Sequence, residues 1–137
     1  MLLDGEVATG RVHVLTWHPG DTQVHLQTSL APYYPTGGDG GACGVVGMKI
    51  GDVIRAVAGD ELVVTTMSGD VIVYNIDPTS SALVEQWRSH VQGAIGCYNS
   101  IAIEDLNDGG SNELYVAGSF RLWRFNQQDE GTPGERQ

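Results

Sequence analysis

The sequence predicts an all-β fold, propeller-like blades of short antiparallel strands that form an incomplete ring within one chain. Three observations predict it. Apolar, β-branched and aromatic residues come in short runs punctuated by turn residues, as at Val71-Ile72-Val73-Tyr74 before Asp77-Pro78. Glycine, at 19 residues, clusters where a chain that reverses every few residues needs φ > 0, as in Thr36-Gly37-Gly38-Asp39-Gly40-Gly41. The order of elements also occurs twice at a period of about fifty residues, and such a period made of short strands is the signature of a blade repeat.

The first full copy runs from Met48 through Gly51-Asp52, a polar loop, Glu61-Leu62-Val63-Val64, a turn at Ser68-Gly69-Asp70, and Val71 to Asn75. The second runs from Ile101-Ala102-Ile103 through Glu104-Asp105, a polar loop, Glu113-Leu114-Tyr115-Val116, a turn near Gly118-Ser119, and Phe120 to Asn126. A third, partial copy lies at the start, where Arg11 to Pro19 can be laid on Asp70 to Pro78, both reading as strands that stop at a proline-marked turn. Gln23 to Leu30 then matches Ala82 to Arg88 as an outer strand. Leu83-Val84-Glu85-Gln86-Trp87 is the one run with arguable helical spacing, and it is read as a strand.

These elements give a single module over 1–126, with a partial blade at 1–30, a blade at 43–88 and a partial blade at 97–126. The polar run 127–137, with Gly131, Pro133 and Gly134, is expected to be a disordered tail. A closed propeller has four to eight blades. The chain is therefore expected to be a fragment of a longer ring, to assemble with further copies, or to pack its blades as an open sandwich. Partial blades expose unpaired strand edges, which predicts self-association through edge strands and a homo-oligomer.

Asp105-Leu106-Asn107-Asp108-Gly109-Gly110-Ser111-Asn112-Glu113-Leu114 resembles the aspartate-rich loop of the FG-GAP repeats found in integrin alpha-type propellers. The resemblance spans roughly residues 41–126 and implies a loop between the two innermost strands of a blade, with calcium ligands at its positions 1, 3, 5 and 9. Here Asp105, Asn107 and Glu113 hold positions 1, 3 and 9, while position 5 is Gly109 and the acid is displaced to Asp108. The expected metal ligands are thus Asp105, Asn107, Asp108 and Glu113, and the expected ion is calcium, a hard cation that takes six to eight oxygens. The competing reading is that Asp and Asn in such loops bond their own backbone with no metal. The corresponding loop from Asp52 to Glu61 is one residue longer and carries Val53, Ile54, Arg55, Ala56 and Val57 where oxygens would be needed, so no metal is expected there.

Charge narrows the partners. With a formal net charge of -10, affinity for a phosphate backbone is not expected, because that affinity is chiefly cationic neutralisation. No run approaches the eighteen apolar residues of a membrane-spanning helix, and the N-terminus has no basic head and apolar stretch of a signal peptide. Cys43 and Cys97 fall one residue apart when the two copies are overlaid on Asp52 and Asp105, both at the start of an inner strand. They either pair in an oxidising compartment or pack as reduced small hydrophobes, the latter being favoured. His13, His18, His25 and His90 are read as surface or interface histidines, Trp87 and Trp123 as core, and Trp17 as an interface candidate. No nucleophile elbow, phosphate loop or other catalytic constellation is present.

The function expected from this is a non-catalytic binding or scaffolding module with a protein or glycan partner and a calcium loop. The alternative is a fragment of a propeller-type polysaccharide lyase or other carbohydrate-active enzyme, a class in which FG-GAP-like propellers occur. The scarcity of clustered Arg and Lys weighs against binding an anionic glycan. A third reading is a piece of chain with no activity of its own.

Overall fold

The computed structural model describes residues 2–6, 11–30, 45–66, 69–90, 100–106, 109–118, 122–127 and 133–136. They form eleven strands, and no helix occurs among the described residues. The strands are β1 (Leu2–Glu6), β2 (Arg11–Thr16), β3 (His25–Leu30), β4 (Val45–Gly51), β5 (Glu61–Thr66), β6 (Asp70–Ile76), β7 (Leu83–His90), β8 (Ser100–Glu104), β9 (Glu113–Ala117), β10 (Leu122–Gln127) and β11 (Pro133–Arg136). Sequential antiparallel pairing gives three open sheets: sheet I is β1-β2-β3, sheet II is β4-β5-β6-β7, and sheet III is β8-β9-β10-β11. The all-β expectation holds at that level.

Local chemistry explains the reversals. Between β2 and β3, the Asp21 carboxylate accepts the His18 N–H at 2.9 Å and Gly20 takes φ 99. That N–H bond, more than the neighbouring His25 and His18 side chains, holds the Asp21 carboxyl below its ordinary range. Between β6 and β7, Asp77 accepts the N–H groups of Ser80 and Thr79 at 2.7 and 2.8 Å, which lowers its carboxyl in the same way. Proline follows the ends of β2 and β6 by a few residues, at Pro19 and Pro78, where no ladder N–H is required.

The sheets stack face to face with sheet II in the middle. Val12 of β2 shares one core with Val45, Leu62, Val64, Ile72 and Tyr74 of sheet II. On the opposite face of sheet II, Val63, Val71 and Val73, with the loop residues Val53 and Ile54, share a second core with Leu114, Val116, Trp123 and Phe125 of sheet III. Side chains alternate across a strand, so β5 is buried at every position because both of its faces are covered. In β8, Ile101 and Ile103 turn inward while Ser100, Ala102 and Glu104 are exposed, the pattern of a strand covered on one face. Trp87 of β7 meets Phe125 edge to face, with centroids 5.2 Å apart and planes at 75°. Burying Phe125 alone stabilises the second core by roughly 1.5–3 kcal/mol.

Two elements correct the sequence reading. The segment expected to be a disordered tail contributes Gln127 to β10 and Pro133–Arg136 as β11, registered Gln127↔Pro133 to Arg124↔Arg136. The unpaired backbone along β10 supplies the partner, and a proline is tolerated at the first position of an edge strand. At the other end Leu2–Glu6, given no strand by the sequence reading, pairs with β2 from Leu2↔Leu15 to Glu6↔Arg11.

Candidate functional site

Two loops, one between β4 and β5 and one between β8 and β9, lie side by side and hold the residues singled out from the sequence. Each is closed by the glutamate that opens its following strand. Glu61 is fully buried, and its Oε2 accepts the N–H groups of Val53 and Ile54 at 2.8 and 3.0 Å. Those two bonds satisfy the backbone of the residues that the loop tucks into the second core, where Val53 and Ile54 are buried. Its other oxygen, Oε1, is buried with no hydrogen-bond partner. Burial pushes the Glu61 carboxyl above its ordinary value, the N–H groups of Val53 and Ile54 oppose the shift, and the charges of Asp52 and Asp60 add to it.

Glu113 does the corresponding task in the second loop. It is buried, and its Oε2 accepts the Leu106 N–H at 3.2 Å, with the Tyr115 hydroxyl at the outer limit of a hydrogen bond, 3.5 Å. Asp105 uses both oxygens on its own loop: Oδ1 accepts the Gly109 N–H at 2.9 Å and Oδ2 the Gly110 N–H at 2.8 Å. Gly110 takes φ 77, a left-handed conformation open to glycine without strain.

The loops brace each other. The Asn112 side-chain amide donates to the Asp52 carbonyl at 3.0 Å, and a Cβ at Gly51 would stand 2.9 Å from Ile103 Cδ1. Glycine is what lets β4 and β8 approach this closely. On these two loops and the end of β8, Arg55, Asp60 and Glu104 are exposed, and Leu106 is 70% exposed.

Of the four expected calcium ligands, Asp105 and Glu113 are described, and they flank one loop with their carboxylates accepting backbone N–H bonds. Asn107 and Asp108 lie outside the described residues, as do Cys43, Cys97 and the side chain of His90. Among the described residues no group of three or more His, Cys, Asp and Glu side chains is placed to hold a metal ion. Carboxylate oxygens are the kind of ligand calcium takes, but the described residues hold no closed ligand set.

The remaining singled-out residues sit elsewhere. His18 Nδ1 and His25 Nε2 flank the Asp21 carboxylate at 3.5 and 3.6 Å on the surface between β2 and β3. Trp17 is 54% exposed there and donates its indole N–H to the Asp21 carbonyl at 3.1 Å. Trp123 is buried in the second core and Trp87 packs against it. Sequence reasoning missed the clamp role of Glu61. Its signal was the shared Glu-Leu pair at the start of β5 and β9: an acid that opens a strand directly after a loop carrying the apolar residues Val53 and Ile54 is placed to accept their N–H groups.

Fold and site together define an all-β stack of three open antiparallel sheets with a braced two-loop rim. Comparison with family models, with curated proteins and with solved structures returns no match.

Proposed function

We propose that the chain is a non-catalytic binding or scaffolding module of propeller-like, FG-GAP-type blades that presents the two-loop rim to a protein or glycan partner. The observation that carries this reading is the brace between the loops. Asn112 and Asp52 fix two neighbouring loops relative to each other, so Leu106, an exposed apolar residue of the second loop, is presented on a preorganised surface. Preorganisation lowers the entropy lost on binding.

The blade reading is supported by which way aligned positions face. Leu62 and Val64 pack toward the preceding sheet, as do Leu114 and Val116, their counterparts by the Glu-Leu alignment. Ile72 and Tyr74 do likewise, matching Trp123 and Phe125, whereas Val71 packs toward the following sheet, matching Val12. A one-residue slip in alignment would have reversed every one of these. The proposal includes self-association through edge strands, since the sheets are open, and calcium on Asp105, Asn107, Asp108 and Glu113 as the source of any ion dependence.

The test is capture of the purified chain on panels of proteins and of neutral and acidic glycans, with calcium and then with chelator. Leu106→Ser is expected to weaken capture about tenfold with an unchanged strand signal in circular dichroism. Calcium is expected to raise the melting temperature, and Asp105→Asn to abolish the rise. Release of new sugar ends from an acidic polysaccharide would overturn the non-catalytic reading in favour of a lyase or other carbohydrate-active enzyme. A melting temperature indifferent to calcium would remove the metal.

A further inference from the structure

Among the described residues, sheets I and III each have one face packed on sheet II and one on which no other described sheet lies. On sheet III, alternation from Trp123 and Phe125 puts Leu122 and Arg124 on the uncovered face, and the register Arg124↔Tyr115 adds Tyr115. On sheet I, alternation from Val12 puts His13 and Leu15 on the uncovered face, and the register Leu15↔Leu26 adds Leu26. Leu122 is 62% exposed and Leu26 is 58% exposed.

These are not arbitrary surface positions. Leu122, Arg124 and Tyr115 align with Val71, Val73 and Val63, which sheet II buries completely against sheet III. His13 and Leu15 align with Ile72 and Tyr74, which sheet II buries against sheet I. The uncovered face of sheet III is therefore the same kind of face that sheet II offers to its follower, and the uncovered face of sheet I is the kind that sheet II offers to its predecessor. The two are the complementary halves of a junction already made twice within the chain.

We infer that two copies of this chain close on each other head to tail, the outer face of sheet III of each packing on the outer face of sheet I of the other, to give a ring of six sheets. The inference rests on the blade reading above and adds face stacking, a contact distinct from the pairing of edge strands. Heterologous contacts generate rings when the rotation closes. The number of copies follows from the size of closed propellers, four to eight blades. Three sheets are formed by the described residues; two such sets make six, inside that range, and three sets make nine, outside it.

Light scattering of the full chain is expected to give twice its 14.6 kDa mass, in calcium and in chelator alike. Leu122→Glu and Leu26→Glu, both at exposed positions, are each expected to convert the dimer to a monomer with an unchanged strand signal. Mixing the two variants restores one unaltered junction, so the mixture is expected to regain mass that neither variant shows alone. A monomeric wild type at about 100 µM, well above a typical weak-dimer Kd, would overturn the inference. So would open oligomers that grow with concentration. Sensitivity to Leu122→Glu without sensitivity to Leu26→Glu would mark a symmetric sheet III contact and would also overturn it. None of these outcomes depends on capture of a rim partner or on polysaccharide cleavage, so this inference and the partner-binding reading fail separately.

Discussion

Glu61 concentrates the chemistry of the rim in one side chain. Two backbone N–H groups favour its charged form, yet a buried oxygen without a partner costs about 1–3 kcal/mol, and burial wins, raising its carboxyl above the ordinary 4.5. A carboxyl raised on folding binds more protons in the folded chain than in the unfolded one between the two values. Its contribution to stability is therefore fully present below about 4.5 and is lost as pH rises through the folded value. Glu61→Gln retains an acceptor for Val53 and Ile54 and does not titrate. Between pH 7 and pH 4.5, urea midpoints are expected to shift in favour of the wild type relative to this variant as the pH falls; a constant or opposite difference would show that the carboxyl is not raised. The spacing of Asp105, Asn107 and Glu113 was readable in the sequence because loop length is a property of the chain. That Glu61 and Glu113 serve as N–H acceptors was not, since the donors are identified only once Val53, Ile54 and Leu106 have been placed.

At the scale of elements, sheets II and III come close where Gly51 ends β4 against Ile103 of β8. Gly51→Ala would set a methyl 2.9 Å from Ile103 Cδ1, the far end of a side chain that can give way, so the expected cost is about 1 kcal/mol, at the low end for overpacking. Ile103→Val removes that terminal methyl at a cost of about 0.5–1.5 kcal/mol. Because the two changes meet at one contact, the double variant is expected to lose less than the sum of the singles, by about 0.5–1 kcal/mol in a denaturant-unfolding cycle. Additive losses would mean that Ile103 does not limit the approach. The interior strands were readable in the sequence because their apolar runs end at residues whose chemistry forces a turn, Pro19 and Gly20 after β2 and Asp77 and Pro78 after β6. The first and last strands of the chain, β1 and β11, were not, because they are set by the unpaired edges of β2 and β10. Leu2–Glu6 and Pro133–Arg136 have no pattern that distinguishes them from a loop.

Across the whole molecule, the stacking order grades stability from the middle outward. β5 and β6 pair on both sides within sheet II and bury both faces, Leu62, Val64, Ile72 and Tyr74 against sheet I and Val63, Val71 and Val73 against sheet III. Their amides can be exposed only by losing sheet II itself, so they should exchange at the rate of global unfolding. β3 has a free edge and carries the exposed Leu26, and it meets β2 through a bulge between Val14 and Leu15. β11 pairs with β10 alone. Both can detach while the two cores persist, and local openings of this kind require less free energy than global unfolding. Native-state hydrogen exchange is therefore expected to be slowest at Leu62 to Thr65 and Val71 to Tyr74, intermediate in β9, and fastest in β3 and β11. If two copies cover the outer faces of sheets I and III, dilution through the dissociation range should speed exchange in β3 and β10 before it changes β5 or β6. Protection in β9 exceeding that in β5 would contradict the stacking order, because it would place the molecule's most secure core outside the sheet that both cores share.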